Sequence, residues 1–398
     1  MANYNKHTGP NVPALRFPEF SGEWESRTIG DDCNILMCKR IFANQTMPEG
    51  EVPFYKIGTI GDKADAYISK KLFEEYKQRY NYPKCGEVMI TCAGTVGKTI
   101  LYNGQDAYYQ DSNIVWISNP RKIYSNEFLN YLLNRVDWSK LNSTTITRIY
   151  NDNLRELHIT FPSREEQDKI VSLLTRIDDR IDTQSKIIEE LTTLRSALHQ
   201  GIMSTGLEDG SWRRQTLAEV LSERTELNNE GHAVHSVSVS KGIVNQIEYL
   251  GRSFAAKDTS RYHVAYPGDV IYTKSPTGEF PYGIVKQSQI SIKAALSPLY
   301  GVYVPISPEI GYIIHNHFLS AKNALNYLHP LIQKGAKNTI NITNQRFLQN
   351  SMPLPTNKNA ALLYYNAIKT VSDKIILEEM VMEKFQSQKS FLLKTMFI

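Results

Sequence analysis

An internal repeat limits the fold of this chain more than any other feature of its sequence. Three pairs of segments correspond, namely 22–29 with 210–217, 86–90 with 268–272, and 149–162 with 342–355. The offsets of 188, 182 and 193 residues are unequal, so the loops between the matched segments differ in length. The repeat predicts two similar structural frames that carry different loops.

A long helical pattern follows the last matched segment of each copy. Apolar residues recur there at alternating steps of four and three, which is the spacing of a coiled-coil seam. The seam positions are Ile170, Leu174, Ile177, Ile181, Ile188, Leu191, Leu198 and Ile202 in the first copy, and Ile368, Val371, Ile375, Met382, Phe385, Leu392 and Met396 in the second. The polar interruptions Gln184 and Arg195 recur 194 residues later as Glu378 and Lys389. We predict that the two helices pair as an antiparallel coiled coil; the alternative is that each helix covers its own globular domain.

The ends of the two helices carry local signals. Ser163 and Thr356 are expected N-caps, and Gly206 is expected to help end the first helix. A helix of about 40 residues spans roughly 60 Å, which is long enough to separate two globular domains. Residues 164–204 hold six basic and eight acidic side chains, so we do not expect this helix to lie along DNA.

The segments outside the helices contain short strand-like runs, such as 114–117 and 299–304, separated by turns. Short helices are expected near 124–140 and 309–328. We predict an α+β fold with two similar globular domains separated by two long helices, related by an internal pseudo-two-fold repeat. The expected division is an N-terminal arm at 1–20, a first domain at 21–161, a central helix at 162–205, a second domain at 206–355 and a C-terminal helix at 356–398. Similar frames with different contents indicate one task performed on two targets.

Composition narrows the class of protein. Hydrophobic residues make up 41% and charged residues 22% of the 398 residues, which is typical of a folded protein. The net charge of +4 is too small to establish nucleic-acid binding by itself. The four cysteines (33, 38, 85 and 92) include no Cys-x-x-Cys pair, so reduced thiols are expected. With no apolar signal core and no 18-residue apolar run, we expect a cytoplasmic protein without a membrane span.

The strongest catalytic candidate is the segment 92–99, which ends in Gly97-Lys98-Thr99 like a phosphate-binding loop. Cys92 occupies the position of the first glycine, and the residues after Lys98 resemble a strand and a turn instead of a helix. A tight hairpin is therefore favoured. A nucleotide-binding enzyme that uses the Lys98 loop is kept as an alternative.

Other catalytic or metal sites find little support in the sequence. His315 and His317 are two residues apart, as on one face of a strand, but no third ligand is near them. The acidic pairs of the central helix are typical of a solvated helix face. We predict a binding protein with no catalytic site and no metal site.

Several of these motifs resemble the specificity (S) subunit of type I restriction–modification systems, and together they span essentially the whole chain. Residues 12–24 look like the N-terminal signature of that family. Residues 86–98 look like its recurrent domain segment, and residues 161–170 look like its helix-opening motif. The repeat itself is the fourth shared feature.

The resemblance implies that each globular domain is a target recognition domain that reads one half of a bipartite site in double-stranded DNA. The helical pair would set the spacing and dock two modification (methyltransferase) subunits. Those subunits would bring S-adenosylmethionine, and restriction subunits would add translocation and cleavage with ATP and Mg. No cofactor is expected on this chain. The second copy departs from the pattern, because 273–283 lacks the Gly-x-x-Gly-Lys spacing and 355–360 lacks the Glu-Glu-Gln run.

Polar and basic residues in the divergent middles are the candidates for DNA contacts, because phosphate contacts set register and base contacts set sequence. For the first domain they are Thr91, Thr95, Lys98, Gln110, Arg148 and Tyr150. For the second domain they are Lys274, Ser275, Thr277, Lys286, Lys334, Lys337 and Asn338. A protein–protein adaptor that binds two polypeptides and no DNA is the second alternative.

Overall fold

The computed structural model describes residues 11–141, 148–252, 255–334 and 340–398. The chain divides into two compact units. The first unit comprises Met1–Ser185 and Met380–Ile398, and the second unit comprises Lys186–Glu379. Each unit therefore contains a globular domain together with segments of both long helices.

The first unit contains nine strands in its described residues. They are β1 (Glu25–Thr28), β2 (Asn34–Leu36), β3 (Val52–Tyr55), β4 (Tyr67–Ile68), β5 (Val88–Thr91), β6 (Thr99–Leu101), β7 (Tyr108–Tyr109), β8 (Ile114–Ser118) and β9 (His158–Phe161). The helices are α1 (Ile29–Asp32), α2 (Lys70–Arg79), α3 (Asn126–Leu133), α4 (Asn151–Arg155) and the first part of α5 (Arg164–Asp209). Short 3-10 turns lie at Ala43–Gln45 and Trp138–Leu141.

A four-stranded antiparallel sheet in the order β2-β8-β5-β6 forms the centre of this unit. Alternate side chains of β5 and β8 enter two different cores, because successive residues of a strand point to opposite faces. Val88 and Ile90 pack in a core that α3 and the long helices cover. Met89 and Trp116 pack in a second core with the smaller sheet β4-β3-β7 and with α2. Both faces of the central sheet are therefore buried.

The second unit repeats this architecture with different additions. Its strands are β10 (Trp212–Thr216), β11 (Leu221–Glu223), β12 (His235–Ser238), β13 (Gly242–Asn245), β14 (His263–Ala265), β15 (Val270–Tyr272), β16 (Val285–Gln287), β17 (Ala294–Leu296), β18 (Gly301–Pro305), β19 (Gln333–Lys334), β20 (Ile340–Asn341) and β21 (Ser351–Pro355). Its helices are α6 (Gln246–Leu250), α7 (Pro308–His317), α8 (Ala321–Leu328), α9 (Asn344–Phe347) and most of α10 (Lys358–Thr395). Short 3-10 turns lie at Leu217–Glu219 and His329–Leu331.

The repeat in the sequence corresponds to a shared frame in the two units. The central sheet of the second unit has the order β11-β18-β15-β16, which matches β2-β8-β5-β6 strand for strand. The first and last strands of each domain also pair, β1 with β9 and β10 with β21. Among the described residues, only the second unit contains the hairpin β12–β13 and the antiparallel pair β14–β17. The predicted α+β fold with two similar domains is confirmed.

The long helices contact each other within each unit. In the first unit Ile170 and Leu174, from the start of α5, share a core with Leu392 and Met396 from the end of α10. In the second unit Leu198 and Ile202, from the end of α5, pack on the core that contains Ile368. The start of one helix thus meets the end of the other, which is the antiparallel sense.

The fifteen seam residues named above are all buried or half-buried. Their division between the two cores places the outer seam residues, such as Leu174 and Ile368, against the globular domains as well as against the partner helix. Pairing along the inner part of the seam, which includes Ile188 of the first helix and Met382 of the second, stays a prediction.

Three local expectations are wrong. Gly206 does not end the first helix, which continues to Asp209; a Cβ at Gly206 would lie 2.1 Å from the Trp212 ring, so this glycine permits close packing. Asn357, and not Thr356, caps α10, since its side chain accepts a hydrogen bond from the Ala360 amide at 2.9 Å. His315 and His317 do not share the face of a strand, because they lie on helix α7, in the region near 309–328 where a short helix was expected.

Candidate nucleic-acid interface

The loop between β5 and β6, residues 92–98, closes a hairpin at one end of the first central sheet. Thr91 is fully buried and holds this loop together. Its hydroxyl donates to the Thr95 carbonyl and accepts from the Lys98 amide at 3.1 Å, while its own amide donates to the Lys98 carbonyl at 3.0 Å. Gly97 has a φ of +83° and lies against the Trp138 ring, where a Cβ would be 2.1 Å from the nearest carbon. The loop therefore has one defined shape.

The segment 148–150 lies beside this loop. The Ile149 amide donates to the Cys92 carbonyl at 2.9 Å, and the Arg148 guanidinium contacts the Ser112 carbonyl at 3.4 Å. Arg148 also lies over the Tyr150 ring, 5.8 Å from its centre, and Tyr150 is 58% exposed. An exposed aromatic ring next to a guanidinium is suited to contact with a base or a sugar–phosphate backbone.

A third segment, residues 56–61, also lies beside the hairpin loop 92–98. The Lys98 ammonium donates to the Ile60 carbonyl at 2.6 Å, and Gln110 accepts from the Ile57 amide at 3.4 Å. The structure thus brings the six candidates of the first unit around one hairpin. Thr95, Lys98 and Tyr150 are exposed, whereas Gln110 and Arg148 are half-buried. Thr91 is inaccessible, so the expectation that it touches DNA directly is corrected to a role inside the loop.

The corresponding hairpin of the second unit joins β15 and β16 and has a longer loop, residues 274–284. Thr273 is 3% exposed and occupies the place of Thr91. Its hydroxyl accepts from the Ile284 amide at 3.1 Å, and its amide donates to the Ile284 carbonyl at 3.1 Å. Within the loop, Thr277 and Phe280 exchange backbone hydrogen bonds of 3.0 and 2.9 Å. The extra residues therefore form a small turn of their own.

The structure places the candidates of the second unit less uniformly. Ser275 and Thr277 are exposed on the loop, and Lys274 is half-buried with a φ of +61°. Burial lowers the pKa of Lys274. A non-glycine residue at positive φ is uncommon and marks a position where the surroundings enforce the backbone shape.

Lys286 does not lie on this loop. It lies within β16, is 4% exposed, and has its pKa lowered to about 8 by burial and by the nearby charge of Arg195. A direct contact between Lys286 and DNA is therefore wrong for this conformation. The side chain of Lys334, together with Lys337 and Asn338, lies outside the described residues.

The nucleotide-binding alternative is not supported. A phosphate-binding loop leads into a helix whose first amides cradle the phosphates. Here Lys98 is followed by β6, and its ammonium is occupied by the Ile60 carbonyl. The segment is the hairpin that the strand-like residues after Lys98 favoured.

One basic cleft in the first unit was missed by the sequence analysis. It is lined by Lys39, Arg40, Arg79, Tyr80 and Asp111, among others. The Lys39 ammonium and the Arg79 guanidinium both lie over the Tyr80 ring, 5.4 and 5.8 Å from its centre. This shared contact brings the two basic side chains into one cluster. The adjacent basic pair Lys39-Arg40 was a signal in the sequence, but the 38 residues between this pair and Arg79 concealed the cluster.

The helix-opening motif is explained by local structure. Glu166 is 1% exposed and forms a two-pronged ion pair with Arg16, with distances of 2.8 and 2.7 Å. Gln167 is fully buried, accepts from the Ser125 amide at 2.8 Å, and donates to the Pro162 carbonyl at 2.9 Å. The motif therefore ties the N-terminal arm and the start of α3 to the start of α5.

The second unit lacks this motif and uses other residues for a related purpose. Gln215 donates to the carbonyls of Leu354 and Pro355, at 3.2 and 3.1 Å. Gln287 donates to the carbonyls of Gly268 and Pro308, at 3.2 and 3.1 Å. The absence of the Glu-Glu-Gln run is thus accompanied by a different set of buried amide contacts.

The described residues support neither a metal site nor a membrane span. No group of three or more His, Cys, Asp or Glu side chains there is arranged to hold a metal ion. Within the same residues, no helix combines the length and the apolar character needed to cross a membrane.

Comparison with known proteins points to one family. Its profile, described as "Type I restriction modification DNA specificity domain", matches residues 21–193. A putative type I restriction enzyme specificity subunit of Haemophilus influenzae is 46% identical over 162 residues, 41% of this chain and 41% of that protein. The putative type I restriction enzyme MjaX specificity subunit of Methanocaldococcus jannaschii is 23% identical over 290 residues, 67% of this chain and 66% of that protein. The matches thus cover less than two thirds of either relative.

The fold has a counterpart among solved structures. The type I restriction–modification S subunit from M. genitalium aligns with 97% of this chain and 99% of its own chain. The TM-score is 0.62 at 14% sequence identity, which shows a shared fold.

Proposed function

We propose that this chain reads a two-part DNA sequence for a type I restriction–modification complex, because its residues 21–193 match the profile described as "Type I restriction modification DNA specificity domain". Each unit would read one half of the site. The loops 92–98 and 274–284, with the segment 148–150, would approach the DNA, and exposed polar residues on them would contact bases or phosphates.

The observation that carries this proposal is the duplicated frame. The first unit, which contains most of the matched domain, and the second unit share the same central sheet order. Both frames end in a hairpin at the same strand pair, but the loops differ in length and in residues. A common frame with divergent loops supports the reading of two different sequences by one mode of binding.

The other expected activities belong to partners in this proposal. Two modification subunits would dock on this chain and use S-adenosylmethionine to methylate adenine. Restriction subunits would use ATP and Mg to move and cleave DNA. The paired helices would set the distance between the half-sites. This chain would contribute specificity and no chemical step.

Methylation mapping tests the proposal. The chain is co-expressed with the modification subunits of its own genome in a host that lacks adenine methylation, and methylated adenines are mapped across the genome. We expect one motif in two parts with a fixed gap. The control omits this chain and should abolish the motif; methylation that persists without the chain, or a continuous motif, would contradict the proposal.

A further inference from the structure

We propose that Thr91 and Thr273 are equivalent positioning residues, each of which fixes the hairpin loop through which its unit reads one half-site. The inference rests on the proposed function and deepens it, since it assigns one side chain in each unit to the specificity of one half of the site. Neither residue would touch DNA. Each would act through the shape of the loop that it closes.

The two threonines make the same pair of hydrogen bonds. In the first unit the Thr91 amide donates to the Lys98 carbonyl at 3.0 Å, and the Lys98 amide donates to the Thr91 hydroxyl at 3.1 Å. In the second unit the Thr273 amide donates to the Ile284 carbonyl at 3.1 Å, and the Ile284 amide donates to the Thr273 hydroxyl at 3.1 Å. Both side chains are almost completely buried, at 0% and 3% exposure.

The residues that exchange these hydrogen bonds with the threonines, Lys98 and Ile284, share no side-chain chemistry. Lys98 is exposed and Ile284 is buried. The bond uses only the amide and the carbonyl of each, so the side chain at that position is free to differ between the units. The hydroxyl of the threonine is the part of the contact that the sequence must supply.

Lys98 in the first unit and Ile284 in the second are the closing residues of the loops, and a glycine directly precedes each of them. Gly97 has a φ of +83° and Gly283 a φ of +95°, which side chains rarely tolerate. A Cβ at Gly283 would lie 2.7 Å from the backbone nitrogen of Lys274. The glycine therefore turns the chain back toward the strand end, where the threonine hydroxyl accepts the next amide.

The latch, meaning the threonine, the glycine and the closing residue, encloses loops of different length. The residues between the threonine and the closing residue are 92–97 in the first unit and 274–283 in the second. The same base thus presents two different loops. The exposed candidates Thr95, Ser275 and Thr277 lie on these loops, so their positions depend on the latch.

Loss of the hydroxyl should affect one half-site at a time. Thr→Val keeps the shape of the side chain but leaves the amide of the closing residue without its acceptor. The loop then gains alternative conformations, and the contacts it makes with bases are weakened. Since each threonine closes only its own loop, the effect should stay within the half-site read by that unit.

The test uses the chain in complex with its modification subunits and a library of duplexes randomised at one half-site at a time. Thr91→Val is expected to lower discrimination at the first half-site about tenfold and to leave the second unchanged, and Thr273→Val is expected to do the reverse. Thr91→Ser and Thr273→Ser keep the hydroxyl and should retain most of the discrimination. Thermal unfolding of each complex reports whether the variants are folded.

Three results would overturn the latch: equal losses at both half-sites, unchanged discrimination in folded valine variants, or serine variants as impaired as valine variants. If a valine variant does not fold, hydrogen exchange of the wild-type complex still decides. The amides of Lys98 and Ile284 should exchange slowly, and rapid exchange at either one would refute the latch in that unit. A wild-type complex that selects no bipartite site would refute the proposed function instead.

Discussion

The ion pair between Arg16 and Glu166 allows a sharp test of how the N-terminal arm is held. The guanidinium and the carboxylate form two bonds of 2.8 and 2.7 Å, and their side chains are 14% and 1% exposed. The guanidinium also donates to the carbonyls of Ser21 and Gly22, the former at 3.2 Å and the latter at 2.5 Å. Arg16→Met removes all of these contacts and leaves the Glu166 carboxylate buried without a charge partner.

The expected cost follows from that uncompensated charge. Removal of one partner of a buried ion pair costs about 3–5 kcal/mol, because the remaining charge stays out of water. Replacement of both partners by apolar residues of similar size is often close to neutral. The double variant Arg16→Met/Glu166→Met should therefore be more stable than Arg16→Met alone, by about 2–4 kcal/mol.

Urea unfolding followed by tryptophan fluorescence measures these differences. Three of the four tryptophans lie in the first unit, so Trp212→Phe in the background makes the signal specific to that unit. A matched control is Arg79→Met, since Arg79 pairs with Glu75 at 2.9 Å but the side chains are 64% and 47% exposed. That variant should lose about 0.2–1 kcal/mol. If Arg16→Met costs no more than Arg79→Met, or if the double variant is less stable than either single variant, the reasoning from burial is refuted.

Three further perturbations have defined outcomes. Gly97→Ala should lower the free energy of unfolding of the first unit, measured in urea, by about 2–5 kcal/mol, because of the positive φ and the overlap with the Trp138 ring. Gly22 has the same φ of +83° but nothing within 4 Å of an added Cβ, so Gly22→Ala should cost only about 1–2 kcal/mol. Equal costs for the two variants would contradict the steric overlap at Gly97. Burial raises the pKa of the Cys33, Cys38 and Cys92 thiols to about 12, whereas Cys85 is exposed. At pH 8 a thiol reagent should therefore react only with Cys85 in the native chain, and with all four thiols in denaturant. Rapid reaction of more than one thiol in the native chain would contradict the burial of the other three. Phe397→Ala should lower the free energy of unfolding, measured by thermal unfolding, by about 3–5 kcal/mol, because the Phe397 ring is 4% exposed. Phe391 is 58% exposed, so Phe391→Ala should change it by less than about 0.5 kcal/mol. Similar losses in the two variants would contradict the burial of Phe397 in the core of the first unit.

The repeated frame could be predicted because hydrophobic period and turn residues are local properties. Trp24 and Trp212 are both 3% exposed, and each lies directly before or within the first strand of its domain. The seam residues Leu174 and Ile368 are fully buried, as their heptad spacing indicated. A pattern of this kind indicates which face of a helix or strand is buried, and the arrangement of these buried faces defines the shared frame of the two units.

The contents of the hairpin loops could not be predicted in the same way. Lys98 and Ile284 occupy equivalent places but share no side-chain chemistry, because only their backbone groups take part in the latch. The sequence offered Lys286 as a candidate for DNA contact, but this residue lies two positions beyond Ile284, in a buried strand. The residue types of Lys98 and Ile284 therefore carry no trace of their equivalence, and only the shared threonine and glycine of each loop do.

Gly206 shows a second limit of sequence reasoning. A glycine close to the end of a helical pattern commonly terminates the helix. In this chain the helix continues past Gly206, and the glycine makes room for the Trp212 ring. The two roles differ in a long-range contact, which the local pattern does not contain.

An exchange of domains tests the central claim, that each unit reads one half-site through a shared frame, most directly. The first domain, 25–161, begins and ends on the paired strands β1 and β9, and the second, 212–355, begins and ends on β10 and β21. A chain in which a copy of 25–161 replaces 212–355 should direct methylation to a site that contains the first half-site twice and no longer contains the second. Persistence of the second half-site in the methylation map of that chain would contradict the account.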